Sequence, residues 1–137
     1  MENNMINNES ERSYRATIIE GAEGMSKKEQ IAFLDLTDCE SLDELTKEAP
    51  VMIDNIGDKS FARIAVHNEK AENKDYTVLI LIDENGTRYR TGSESFYNAF
   101  SDIYKAMKDS GETWGVKVYR KPSKNYVGRD FLTCSVI

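Results

Sequence analysis

Few residues in this sequence have the types and spacing that catalysis needs. The single histidine, His67, excludes a metal site built on a histidine pair and leaves one base for a serine or cysteine nucleophile. No nucleophile elbow surrounds it, so we expect a surface or half-buried side chain without a catalytic role. Cys39 and Cys134 are too far apart along the chain for a metal pair or a redox motif, and Cys134 fits a small buried side chain.

Acidic residues are plentiful but do not form a recognisable site. Asp35, Asp38, Asp43 and Glu44 lie in an acidic stretch that has neither calcium-loop spacing nor an Asp-x-Asp motif, which favours a solvated acidic face. The glycines are scattered singly, without a P-loop or a dinucleotide fingerprint. The sequence therefore predicts a non-enzymatic protein with no catalytic residue, metal or cofactor. A divalent metal held by dispersed carboxylates is the alternative.

Basic and aromatic residues are interleaved near the C-terminal end. Lys117, Tyr119 and Lys121 alternate with Val116 and Val118, so a strand there would place them on the face opposite the core. Cations that follow phosphates and exposed rings that stack on bases are what a protein binding single-stranded nucleic acid uses. The candidate binding residues are Lys117, Tyr119, Arg120, Lys121, Lys124, Asn125, Tyr126, Arg129 and Phe131.

The charge distribution singles out the same segment. Residues 115–137 carry five basic side chains and one carboxylate, a net charge of +4. Since the net charge of the whole chain is −6, residues 1–114 carry a net charge of −10. A local basic patch can attract phosphate even on an acidic molecule. A solvated hairpin with lysine and arginine on its outer face is the other interpretation.

The composition predicts one globular domain. The chain has 137 residues, of which 39% are hydrophobic and 31% charged. Residues 1–12 are rich in Asn and Glu and should form a disordered tail, which leaves 13–137 as a single α+β domain. The N-terminus lacks the pattern of a signal peptide and no segment is apolar enough for a membrane helix, so we expect a soluble cytoplasmic protein, with no membrane partner and reduced thiols.

Hydrophobic periodicity predicts the elements that position the basic segment. Ser26 and Ser41 each begin a Ser-x-x-Glu capping box, which predicts two helix starts in an N-terminal helical extension. Asn85-Gly86 predicts a type I′ hairpin turn. The predicted strands are 14–19, 51–56, 61–67, 76–82, 87–90, 114–121 and 130–137.

One amphipathic helix is predicted at 94–109, after the cap residue Ser93. We expect Phe96, Phe100, Ile103 and Met107 to face the core. From Phe61 the order is three strands, a helix and two strands, which predicts either a mainly antiparallel twisted sheet or a small OB-like barrel. The binding loops of such a barrel would be 69–75 and 122–129.

Two stretches resemble a known group of proteins. The first stretch is Thr91-Gly92-Ser93-Glu94-Ser95-Phe96 with Phe100 and Asp102-Ile103. The second is Tyr119 to Tyr126 with Gly128-Arg129-Asp130-Phe131 and Thr133-Cys134-Ser135. Both resemble small proteins of phages and mobile elements of Gram-positive bacteria. Some members of this group are described as single-stranded DNA-binding or replication-accessory proteins. The resemblance covers roughly residues 76–137.

The resemblance implies single-stranded DNA binding in phage or mobile-element replication or recombination. Phage proteins of this kind often end in an acidic tail that recruits partners, whereas this chain ends Thr133-Cys134-Ser135-Val136-Ile137. The alternative is an acidic phage protein that binds and inhibits a host defence or replication protein, with carboxylates that mimic nucleic-acid phosphates. Homo-oligomerisation is left open.

Overall fold

A computed structural model describes residues 14–22, 24–56 and 60–137. The predicted tail at 1–12 lies outside the described residues. Within them the chain forms eight strands and three helices. In chain order these are β1 (Tyr14–Gly21), α1 (Lys27–Phe33), β2 (Glu40–Ser41), α2 (Leu42–Leu45), β3 (Val51–Ile53), β4 (Phe61–Asn68), β5 (Asp75–Ile82), β6 (Arg88–Thr91), α3 (Glu94–Met107), β7 (Val116–Pro122) and β8 (Asp130–Val136).

The strands form two sheets. The five-stranded sheet has the order β1-β4-β5-β6-β2, and the three-stranded sheet has the order β3-β7-β8. All pairs are antiparallel except β2 with β6. The predicted α+β class with mainly antiparallel sheets is confirmed.

The pairing of the two sheets bears on the OB-like barrel. The predicted meander is present, with β5 between β4 and β6 and Leu81 opposite both Phe61 and Tyr89. Among the described residues, β7 pairs with β3 and with β8, and neither β7 nor β8 pairs with the meander. Side chains therefore join the two sheets, and the closed barrel stays a prediction.

The N-terminal third is more than the predicted helical extension. Ser26 and Ser41 do cap α1 and α2, and in α1 the box is complete because Glu29 accepts the Ser26 N–H at 2.9 Å. However, β1 pairs with β4 from Tyr14 opposite Asn68 to Gly21 opposite Ala62, with a bulge at Ile19. Periodicity at 14–19 predicts a strand but not its long-range partner.

The Asn85-Gly86 hairpin exists, but the predicted turn type is wrong. Gly86 has φ 86°, whereas Asn85 is not among the residues with positive φ. The Gly86 N–H donates to the Asp83 carbonyl at 3.0 Å, and the Asp83 carboxylate accepts the N–H groups of Asn85 and Thr87, both at 2.9 Å. The aspartate side chain thus holds a turn in which only Gly86 needs the left-handed region, as in a hairpin with a glycine bulge.

Helix α3 packs against β8 and fills the space between the sheets. It ends at Met107, two residues before the predicted end. Phe96 and Phe100 are fully buried as predicted, whereas Ile103 and Met107 are only partly buried and Tyr104 is buried in addition. The Phe100 ring lies 5.2 Å from the Phe61 ring and 6.2 Å from the Trp114 ring, centroid to centroid. This aromatic cluster joins α3 to the first sheet and to the start of the second.

Replacing Phe100 tests this core. Phe100→Ala should lower the free energy of unfolding by about 3–5 kcal/mol because it removes a buried ring and leaves a cavity. Ile31→Ala, at an α1 side chain that is 65% exposed, should change it by less than about 0.5 kcal/mol. Urea unfolding of both variants measures the difference, and equal midpoints would contradict the packing of α3.

Candidate nucleic-acid interface

The three-stranded sheet presents one face to the core and one to solvent. Val116, Val118, Leu132 and Cys134 are buried, so the alternating residues point outwards. We call these the outer face. It consists of Met52 from β3, Lys117, Tyr119 and Lys121 from β7, and Phe131, Thr133 and Ser135 from β8.

The outer face carries positive charge without acidic residues. Lys117 and Lys121 lie on it, and none of its seven members is a carboxylate. Asp130, the acidic residue of β8, lies opposite Pro122 and accepts a hydrogen bond from Arg120 at 2.9 Å. By strand alternation Asp130 points away from the outer face. The outer face itself therefore presents no carboxylate, and Asp130 lines a depression at its edge together with Lys121.

Two rings accompany the lysines. Phe131 is directly opposite Lys121 and is 37% exposed. Tyr119 is opposite Thr133, which makes Tyr119 and Phe131 diagonal neighbours on the same face. The Tyr119 hydroxyl lies 2.9 Å from Ser135 Oγ, and Lys117 Nζ lies 5.7 Å from the ring centroid. The hydroxyl contact restricts the Tyr119 ring, so the face presents a preformed surface.

The β7–β8 loop extends the face with four more predicted residues. Lys124, Asn125, Tyr126 and Arg129 are all exposed, with Tyr126 64% exposed. The loop backbone is held by Ser123, whose Oγ accepts the N–H groups of Asn125 and Tyr126 at 3.3 Å each and whose own N–H donates to the Arg129 carbonyl at 2.9 Å. Backbone contacts thus hold the loop while its side chains remain in solvent.

Arg120 lies apart from the other predicted binding residues. Its guanidinium donates to the Asp43 carbonyl at 2.7 Å, to Thr46 Oγ1 at 3.2 Å and to Asp130 Oδ1 at 2.9 Å. It faces the same side of β7 as Val118 and ties the strand to α2, so it is not part of the outer face. The alternation of β7 could have shown this, because Arg120 has the parity of the buried valines. Charge counting alone placed it with the lysines.

Sequence reasoning missed Met52. This residue is 54% exposed and lies opposite Lys117. The segment 51–56 is predicted as a strand, but periodicity does not tell which strand it joins. Met52 adds an apolar, polarisable side chain beside Lys117.

The alternative function, binding of a host protein, would use the acidic residues Asp35, Asp38, Asp43 and Glu44. Three of these four already have partners within the protein. Asp43 accepts a hydrogen bond from Thr91 at 3.0 Å as well as the Arg120 contact. Glu44 pairs with Lys47 at 3.1 Å. Asp35 accepts the hydroxyl and the N–H of Thr37, which lowers the pKa of its carboxyl. Asp43 in particular has a structural role.

The remaining reactive side chains do not form a catalytic pair. Burial raises the pKa of the Cys134 thiol to about 12 and also raises the pKa of Cys39, which disfavours either thiolate at neutral pH. His67 lies between Asp75, 2.7 Å from Nδ1, and Glu69, 2.5 Å from Nε2. Among the described residues there is no group of three or more His, Cys, Asp or Glu arranged to hold a metal.

Comparison of the chain with known proteins adds no relative. No family model, curated protein or solved structure matches it. In the described part of the chain, no helix is both long and apolar enough to cross a membrane.

Replacing Arg120 tests whether its contacts stabilise the fold, in contrast to those of a residue on the outer face. Arg120→Met should lower the free energy of unfolding by about 1–3 kcal/mol because it leaves the Asp43 carbonyl and Asp130 without their donor. Lys121→Met, on the outer face, should change it by less than about 0.5 kcal/mol. Equal losses in urea unfolding would show that the Arg120 contacts do not stabilise the fold.

His67 gives a pH-dependent contribution to stability. Hydrogen bonds from the ring to Asp75 and then to Glu69 raise its pKa, because they favour the imidazolium. The stabilisation is fully present below the unfolded-state pKa of about 6.5 and is lost as pH rises through the folded-state pKa. Relative to His67→Gln, the wild-type protein should therefore lose stability as the pH rises through this range. Parallel stability curves, or an NMR titration of the single imidazole at an ordinary pKa, would contradict this.

Proposed function

We propose that this protein binds single-stranded DNA without catalysing a reaction, in the replication or recombination of a phage or mobile element. The outer face and the β7–β8 loop form the binding surface. The observation that carries the proposal is the outer face itself, where lysines alternate with aromatic rings and no carboxylate is present.

The spacing of the cations suits an extended anionic chain. Lys117 and Lys121 are four residues apart on β7 and therefore about 13 Å apart along the strand. At that distance they contact different phosphates. Lys124 and Arg129 continue the positive charge into the loop.

The rings favour single strands over duplexes. A base stacked on an exposed aromatic ring contributes about 1–3 kcal/mol, and the ring must reach the face of an unpaired base. Phe131 and Tyr126 are exposed enough for this, and Tyr119 is held on the same face by its contact with Ser135. Duplex DNA, whose bases already stack on one another, gains only the phosphate contacts.

The OB-like interpretation supports the same surface. In such a barrel, β4, β5 and β6 are the first three strands and α3 precedes the closing pair β7 and β8. The β7–β8 loop is then the loop between strands four and five, which binds oligonucleotides in that fold. The two sheets contact each other through core side chains and not through hydrogen bonds between strands. We therefore propose that packing of the core closes the barrel.

Salt titrations of labelled oligonucleotides test the proposal. Affinity should fall with salt, and Lys121→Gln, Lys124→Gln or Arg129→Gln should lower it and flatten the slope by about 0.7, because each variant releases one fewer counterion. Tyr126→Leu or Phe131→Leu should lower affinity about tenfold with the slope nearly unchanged, since stacking releases no ions. Lys28→Gln, at an exposed side chain of α1 outside both predicted binding loops, is the matched control and should bind as the wild type does.

Two outcomes would overturn the proposal. One is the absence of oligonucleotide binding at micromolar protein and low salt. That result would favour the alternative, in which the protein binds a host protein. In that case charge reversal of the exposed Asp35 and Asp38 should abolish capture of a host protein. The other is tighter binding of a duplex than of a single strand of equal length, because the rings would then have no role.

A further inference from the structure

The tip of the β7–β8 hairpin contains a small depression next to the outer face. Its volume is about 330 Å³, and its walls are Lys121, Pro122, Ser123, Lys124, Asn125 and Phe131. We call it the tip pocket. Small-molecule sites span about 300–1,000 Å³, so the tip pocket is large enough for one small ligand and too small for a longer segment of chain.

The walls combine an apolar surface with two cations. Phe131, which is partly exposed, and Pro122 supply the apolar part, and Lys121 and Lys124 line the same space. Within the described residues neither lysine has an ion-pair partner. Two uncompensated ammonium groups beside an exposed ring favour a ligand that has both an anionic group and a flat apolar ring.

Polar groups complete the walls. The Asn125 side-chain amide offers a donor and an acceptor and makes no hydrogen bond within the described residues. Ser123 Oγ already accepts two backbone N–H groups, which leaves its hydroxyl hydrogen to donate. These groups match the polar edge of a heterocyclic base better than a purely hydrocarbon ring.

A neighbouring depression on the same hairpin differs from the tip pocket in the charges that line it. It has a volume of about 390 Å³ and shares Lys121, Pro122 and Ser123 with the tip pocket, but its other walls include Asp130 and Arg120. Those two side chains pair with each other at 2.9 Å. Only the tip pocket combines the shared lysine with a second free cation and a ring and has no carboxylate.

We propose that the tip pocket holds one nucleotide unit, with its phosphate between Lys121 and Lys124 and its base against Phe131. This inference rests on the proposed single-strand binding and adds a defined position to it. The strand follows the outer face and places one unstacked nucleotide in the tip pocket, where Asn125 contacts the base edge.

The test uses a mononucleotide on the full-length chain. Thymidine 5′-monophosphate, thymidine and inorganic phosphate are titrated separately into ¹⁵N-labelled protein. The monophosphate should shift the backbone amides of residues 121, 123–125 and 131 and bind at least about tenfold more tightly than either fragment. If it binds no better than inorganic phosphate, or shifts other amides instead, the inference is wrong.

Variants identify the walls. Lys124→Gln and Phe131→Leu should each weaken monophosphate binding several-fold. Lys28→Gln and Lys105→Gln each remove an exposed charge of a helix, on α1 and α3, and neither residue lines the tip pocket, so both should bind as the wild type does. Unchanged spectra outside the hairpin show that each variant is folded. Equal weakening in all four variants would overturn the assignment.

A parallel titration with a thymidine oligonucleotide separates this inference from the proposed function. Oligonucleotide binding without any monophosphate effect at the hairpin would refute the tip pocket and leave strand binding in place. Monophosphate binding without oligonucleotide binding would support the tip pocket and refute strand binding.

Discussion

The burial of one side of the β7–β8 hairpin determines what its other side presents to solvent. Val116, Val118, Leu132 and Cys134 pack into the cluster that contains Phe96 and Phe100 of α3. Because side chains alternate along a strand, this packing fixes the register, and a slip by one residue would bury Lys117, Tyr119 and Lys121. The energy that holds the outer face in place is therefore the hydrophobic energy of the core beneath it. A change in Phe100 and a change in Lys121 should consequently affect different properties of the protein.

The same constraint explains why basic residues of one strand have different roles. Lys121 and Arg120 are adjacent in sequence, but alternation places Lys121 on the outer face and turns Arg120 towards α2, where three oxygens accept its hydrogen bonds. A guanidinium with several donors suits this position, because it can link the Asp43 carbonyl, Thr46 and Asp130 at once. Two of the three contacts reach across 74 and 77 residues of sequence. Arg120 thereby connects the hairpin to the N-terminal part of the chain.

Local patterns in the sequence predicted local structure well and long-range pairing poorly. The meander, α3 and the final hairpin follow from periodicity and capping within short windows, and most predicted ends lie within one to three residues of those observed. The pairings of β1 with β4 and of β3 with β7 could not be predicted, since periodicity identifies a strand without naming its neighbour. That is why Met52 was missed. Arg120 lies on the side of β7 opposite the lysines, and its parity with the buried valines already contained that signal. The tip pocket could not be predicted either, because it depends on Lys124 and Phe131 lying close together in the fold. The spacing of residues in the sequence does not predict that proximity.

An acidic protein with a basic face should bind a polyanion in a restricted orientation. Charges are screened over about 8 Å at physiological salt, so a strand on the outer face interacts mainly with Lys117, Lys121, Lys124 and Arg129. Carboxylates on the other surfaces of the molecule repel a strand that approaches them. The net charge of −6 therefore weakens non-specific contacts more than it weakens the proposed one. Because few cations take part, the affinity must depend on the aromatic contacts to a greater degree than in a uniformly basic protein, and the preference for unpaired bases follows from that dependence.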